Sequence, residues 1–188
     1  MPSRAINTLY APLQKVLRKA LDIADSRNLG VIITCTKRSQ LEQAALYCQG
    51  REALVITNAV RKMAKLPLLR AGSRPKKITW TLDTYHCTEP YAMAFDYCIS
   101  EKASAIWDIK ADVNKNKIPD YEEFATICKE LDPNIEWGGD WKKKDYCHVQ
   151  WKKGLKINQC AGRNQLVQPA TFKELLQIIG NYTKRKDI

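Results

Sequence analysis

The sequence predicts an α+β domain, a small and mostly antiparallel sheet flanked by helices. Two observations carry that expectation. Near the start, Ile6, Leu9, Leu13, Val16, Leu17, Ala20, Leu21 and Ala24 recur at three- and four-residue spacing, the stripe of one amphipathic helix. Farther on, short β-branched or alternating runs stand at 30–36, 78–82, 91–99 and 148–151, with helical stretches between them. With 188 residues, 45% hydrophobic and 27% charged, the chain is long enough and apolar enough for one globular domain with a proper core.

Taken in order, residues 6–28 form the first helix. Pro12 is tolerated only near its start, and Asn28-Leu29-Gly30 stops it. Gly30–Thr36 is a buried strand that runs into a helix over 39–47, with Ser39 as its N-cap. A short helix around Asn58–Leu66 follows, within an excursion (52–77) that covers one side of a groove. Ile78–Leu82 alternates and reads as a strand delivering His86, with Tyr91–Ile99 as its partner. Asp120 caps a helix through about Leu131 that buries Phe124, Ile127, Cys128 and Leu131. Trp137–Trp141 turns into the strand His148–Trp151. Thr171-Phe172-Lys173-Glu174 is a capping box opening a last helix, 172–179, which stops at Gly180. The expected core of the domain spans about 30–151.

The chemistry concentrates at the only two histidines, His86 and His148. A catalytic zinc takes three protein ligands and leaves a fourth position open, and His/Asp/His is such a set. Two histidines cannot fill a three-histidine site, so an acidic residue completes it. Asp96 is best placed, since it follows the small-residue run Ala92–Phe95 that reads as a buried strand end. Cysteines adjoin both histidines (His86-Cys87, Cys147-His148), so a structural Cys/His zinc site is an alternative. Neighbours on a strand point to opposite faces, which weighs against it.

Three stretches carry a family resemblance. His86 followed by Ala92-Met93-Ala94-Phe95-Asp96, Glu136-Trp137-Gly138-Gly139-Asp140-Trp141, and Asp145-Tyr146-Cys147-His148-Val149-Gln150 resemble the zinc peptidases of peptidoglycan stems. This is the D-alanyl-D-alanine carboxypeptidase and L-alanyl-D-glutamate endopeptidase superfamily, common among phage endolysins. The resemblance runs from about Gly30 to Trp151. It implies zinc on His86, Asp96 and His148, in a groove on the sheet, and Asp145 as general base. Its Arg-Ser-x-x-x-Gln pattern implies that Arg38 and Gln43 serve the active site, steadying an oxyanion or a stem carboxylate. One departure stands out: His86 and Asp96 are ten apart, where the family spaces them more tightly. Alignment backwards from Asp96 makes Glu89 the ligand, whereas a three-residue insertion keeps His86.

Residues 112–123 show a second pattern. Asp112, Asn114, Asn116, Asp120 and Glu123 occupy positions 1, 3, 5, 9 and 12 of a calcium loop, with the Ile118 carbonyl at position 7. Lys117 stands where glycine normally makes the sharp turn, and Pro119 at position 8 is atypical. Ca2+ is thus an expected second ion beside Zn2+, weighed against a turn whose polar groups cap its own backbone.

The net charge of +11 favours an anionic polymer as partner, whether peptidoglycan or another envelope polymer. No nucleic-acid module accompanies the charge, so no specific nucleic acid is expected. No apolar run reaches the ~20 residues of a membrane span. Arg4 is not followed by an apolar stretch with a cleavage site, so the expectation is a cytoplasmic protein released later to the wall. The seven cysteines, unevenly spaced, read as reduced packing residues, and the protein as a monomer. The rival reading from another class is a basic envelope- or nucleic-acid-binding module with a decayed site.

Overall fold

The computed structural model of the chain describes residues 2–72, 75–82 and 84–152. The helix expected over 172–179 and the basic tail lie outside the described residues. The described residues form four α-helices and five strands, all paired antiparallel, with β1 (Gly30–Cys35), β2 (Ala94–Glu101), β5 (His148–Trp151) and β4 (Ile135–Trp137) in that spatial order. β3 (Ser104–Ile106) also pairs with β2. This is the α+β architecture with a small antiparallel sheet that the sequence predicts.

α1 (Ala11–Ser26) begins with Pro12 in its first turn and buries Leu13, Val16, Leu17, Ala20 and Ala24. The regular helix begins beside Pro12, as that proline predicts, and Ile6–Thr8 forms a separate 3₁₀ turn. Asn28 ends the element in a left-handed conformation, at φ 56°. α1 packs beside α4 (Asp120–Leu131), and both lie on the sheet face made by Phe95, Tyr97 and Ile99. The Tyr97 hydroxyl, fully buried, donates to the Tyr121 carbonyl at 2.7 Å, so the aromatic enters the core with its polar end satisfied.

A smaller core joins α2 (Gln40–Cys48) to α3 (Leu54–Met63) through Ala44, Ala45, Cys48, Val60, Ala64 and Leu66. Ser39 caps α2 as expected, in a reciprocal capping box with Glu42. This pair of helices supports residues 78–82, which are not a strand. That stretch lacks a ladder partner and is tied down by side chains: Gln43 Nε2 donates to Thr79 Oγ1 and the Thr81 carbonyl, and Arg51 Nη2 to the Thr79 carbonyl. The partners of β2 are β1 and β5 instead. Asp120 does not cap α4 either. Pro119 is the N-cap, and the Asp120 carboxylate reaches back to accept the Val113 N–H at 2.8 Å.

Candidate metal centre

The second sheet face carries the site. In β2 the residues between Phe95, Tyr97 and Ile99 point away from the helices, so Asp96 opens toward a groove. Asp96 stands directly opposite His148 in the β2–β5 pairing, which sets the two side chains together on one face. His86 arrives from a 3₁₀ turn, Tyr85–Cys87, rather than from a strand. A bulge in β1 between Ile33 and Cys35 shifts the register and sets Cys35 beside Asp96.

Three atoms converge here. His86 Nε2 is 3.0 Å and His148 Nδ1 2.9 Å from Asp96 Oδ1, and the two ring nitrogens are 3.3 Å apart. The outer hydrogen bonds assign the tautomers. His86 Nδ1 faces the Thr36 carbonyl at 2.8 Å, which only accepts, so Nδ1 carries the proton and Nε2 keeps its lone pair. Gln150 donates Nε2–H to Glu136 Oε2 at 3.0 Å, so its oxygen faces His148 Nε2 at 3.1 Å. That makes His148 Nε2 the donor and leaves a lone pair on Nδ1. Two nitrogen lone pairs and a carboxylate oxygen thus meet within hydrogen-bond distance, and such a convergence requires a shared proton or a cation. Ligand atoms around a tetrahedral zinc, at ~2.0–2.1 Å from the ion, lie about 3.3 Å apart, so the donor set fits one. Cys35 Sγ, His86 and Asp96 also form a cluster able to hold a metal ion, with Sγ 3.8 Å from His86 Nδ1.

Electrostatics follow the geometry. Burial pushes the Asp96 carboxyl up, but His86, His148 and Arg38 outweigh it and hold the group well below the usual carboxylate range. Burial pushes His86 down by more than the neighbouring Asp96 carboxylate raises it. Burial also works against His148, yet Asp96 raises it on balance. Asp145 sits in the groove wall with its pKa raised, chiefly by burial and then by the charge of Asp96.

The structure brings together most residues singled out in the sequence. Arg38 lines the groove: its Nη2 bonds Asp96 Oδ2, its Nη1 donates to Gln43 Oε1 at 3.1 Å, and its Nε to Cys35 Sγ at 3.1 Å. Gln43 is fully buried and meets the groove through Arg38, Thr79 and Thr81. Glu89 faces away from the cluster, exposed and paired with Lys37 Nζ at 2.7 Å. The residues that lengthen the His86–Asp96 spacing form a loop fastened by Thr88, whose hydroxyl donates to the Tyr91 carbonyl at 2.6 Å. Cys87 turns to the Ser39 carbonyl instead of joining His86. The groove, about 690 Å³, is also lined by Trp80, Trp107 and Trp141. Trp80 and Trp107 are 55% and 60% exposed.

Sequence reasoning missed Gln150, Cys35 and the tryptophans. Alternation from His148 was a usable signal for Gln150, which shares its face. No local signal marks Cys35, because the bulge sets its direction.

Fold and site together define an α+β domain with a cluster able to hold a metal ion in a groove on its sheet. Residues 83–151 match the peptidase M15 family described as D-alanyl-D-alanine carboxypeptidase. A curated relative is the peptidoglycan L-alanyl-D-glutamate endopeptidase CwlK of Bacillus subtilis (strain 168), 35% identical over 129 residues. The match covers 68% of this chain and 64% of that relative's length. Among solved structures, the L-Ala D-Glu endopeptidase ChiX of Serratia marcescens is similar at 20% identity and a TM-score of 0.48, over 80% of this chain and 88% of that one.

Proposed function

We propose that the chain is a zinc-dependent peptidase that hydrolyses a peptide bond in the peptidoglycan stem, with the L-alanyl–D-glutamate bond as its target. The observation that carries this reading is the convergence of His86 Nε2, Asp96 Oδ1 and His148 Nδ1 in an open groove beside Asp145. The choice of bond rests on the name of the Bacillus relative. His86, Asp96 and His148 would hold the ion, with Cys35 behind His86. Zinc bound there supplies Lewis-acid polarisation of the scissile carbonyl and lowers the pKa of water to about 7.

The chain's own groups do the rest. Thr36 and Gln150 keep the two rings in the tautomers that face the ion. Arg38 holds Asp96 in place and balances its charge, and Gln43 locks Arg38. Asp145 accepts the proton of the attacking water and returns it to the leaving amine. Glu136 is committed to Gln150 and Trp141, and Asp140 to Lys129, which leaves Asp145 as the acid of this segment that serves as base. Trp80 and Trp107 offer flat apolar faces to the stem or its attached sugars.

The same reading extends to a monomeric phage endolysin that waits in the cytoplasm and acts on the wall after release. The resemblance supports it. The deciding experiment is digestion of purified peptidoglycan with and without a chelator, followed by mass analysis of the fragments. New L-alanine and D-glutamate termini that vanish with the chelator are expected. Release of terminal D-alanine alone would make the chain a carboxypeptidase instead. Intact wall from a protein that binds no zinc would sink the peptidase reading.

A further inference from the structure

The loop from Asp112 to Glu123 gathers oxygen groups that the proposed reaction does not use. The Asp112 carboxylate accepts the backbone N–H groups of Asn116 and Lys117, both at 2.9 Å. Lys115 and Lys117 take left-handed conformations, at φ 60° and 71°, so Lys117 makes the turn usually given to glycine. The chain thereby folds back over Glu123, whose side chain is 4% exposed. Glu123 Oε2 receives the amide N–H groups of both Asn114 and Asn116, at 2.9 and 2.8 Å, and Oε1 meets Arg27 Nη1 at 3.1 Å. Every group now facing Glu123 in these contacts is the positive end of a dipole or a cation.

An independent observation points to a ligand. Asp120 is fully buried, and its Oδ1 has no hydrogen-bond partner; among the described residues it is the buried side-chain oxygen or nitrogen left in that state. Its other oxygen is held by Val113 inside the loop, which directs the carboxyl group into the loop rather than toward the helix. A buried, unsatisfied carboxylate oxygen costs free energy unless a proton or cation meets it. Asp112 and Glu123 also bear on this group, adding to the effect of burial in raising its pKa. Three carboxylates, Asp112, Asp120 and Glu123, therefore meet at this point, with Arg27 the cation on Glu123.

We propose that residues 112–123 form a calcium site, with Asp112, Asn114, Asn116, the Ile118 carbonyl, Asp120 and Glu123 as ligands. All donors are oxygens, and they hang on a loop rather than a rigid sheet. That set suits a hard cation of irregular, high coordination more than zinc, or than magnesium with its demand for a near-ideal octahedron. The Asn114 and Asn116 amide oxygens already lie in the loop, where they accept the N–H groups of Asn116 and Ile118, and rotation of the two amides turns these oxygens toward the ion. Three carboxylates against two nearby lysines set the affinity low, with Kd about 10⁻⁴ M. Arg27, at the end of α1, bonds Glu123 in the first turn of α4 at 3.1 Å, so the loop lies where the two helices are fastened together. Binding should register as stability of the whole domain.

The test is calorimetric titration of the full-length, zinc-loaded protein with calcium chloride, and with magnesium chloride as control. Melting temperature is measured in parallel. One calcium per chain is expected, with a rise in Tm of about 5 °C at 10 mM calcium. Magnesium should give less than a third of that rise. Asp112→Asn and Glu123→Gln should each weaken binding at least tenfold. Asp112→Asn is the deciding variant if Glu123→Gln fails to fold, because Asp112 is only partly buried and the change preserves shape. Absence of both heat and Tm shift at 10 mM calcium overturns the proposal. So does an undiminished shift in Asp112→Asn, or an equal response to magnesium. None of these readouts depends on peptidase activity, so the two readings stand or fall separately.

Discussion

At the groove, the ligating groups come from positions 86, 96 and 148 and meet because β2 and β5 pair in one register. At the loop, they follow one another along 112–123 and meet because the chain curls. The first arrangement is stiff. Its histidines are 1% and 7% exposed, and their tautomers are set by Thr36 and Gln150. The second is adjustable, since two of its ligands are amides that rotate. Stiffness suits a catalytic ion, whose open position must stay open. Adjustability suits an ion that takes six or more oxygens at variable distance. Long-range register and short-range turn chemistry thus gather polar side chains in one domain in two distinct ways.

The comparison breaks most sharply at the histidines. His86→Ala and His148→Ala should each remove zinc, measured by elemental analysis, and abolish wall hydrolysis. Calcium heat at 112–123 should persist in both, because neither residue touches that loop. Loss of both ions from either variant would mean that the sites are not separable. Next in size is Asp145→Asn, which should keep its zinc and slow turnover by roughly 10²–10⁴-fold. Near-normal turnover would remove Asp145 from the reaction.

Gln43→Ala tests whether stiffness comes from behind the ligands. Removing the amide takes an acceptor from Arg38 Nη1 and a donor from Thr79 Oγ1 and the Thr81 carbonyl, at a fully buried position. The expected cost is about 2–4 kcal/mol of stability, read from the denaturant midpoint, together with weaker zinc retention. A stability loss with zinc affinity intact would make Gln43 a packing residue only.

The same contrast between local and long-range order explains what was legible in the sequence. α1, α2 and α4 announce themselves through periodicity and through Ser39, because helices are written in nearest-neighbour chemistry. β2 and β5 are also visible, since small and β-branched residues mark them. Residues 78–82 misled because their alternation is that of a strand, while their hydrogen bonds go to Gln43 and Arg51. β3 and β4 are each three residues long, too short to show a period. The convergence at the groove could be anticipated from residue types and a family resemblance. Its hydrogen bonds could not, because Thr36 and Cys35 join through a bulge that no local pattern encodes.

The smallest effect concerns Glu89, and it settles the spacing between His86 and Asp96. If the added residues are an insertion, they lie on the surface and Glu89 has no part in the site. The structure gives it one ionic partner, Lys37, with the Glu89 side chain 57% exposed. An exposed pair of this kind contributes less than about 1 kcal/mol, reduced further by salt. Lys37 also donates to the Pro90 carbonyl at 2.7 Å, so the loop keeps a tether when the carboxylate is removed. Glu89→Ala should therefore bind zinc as the parent does and hydrolyse wall at the parent rate. Its melting temperature should fall by no more than a degree or two. Zinc lost from Glu89→Ala but retained by His86→Ala would reverse the assignment, and the cluster at Asp96 would no longer be the metal centre.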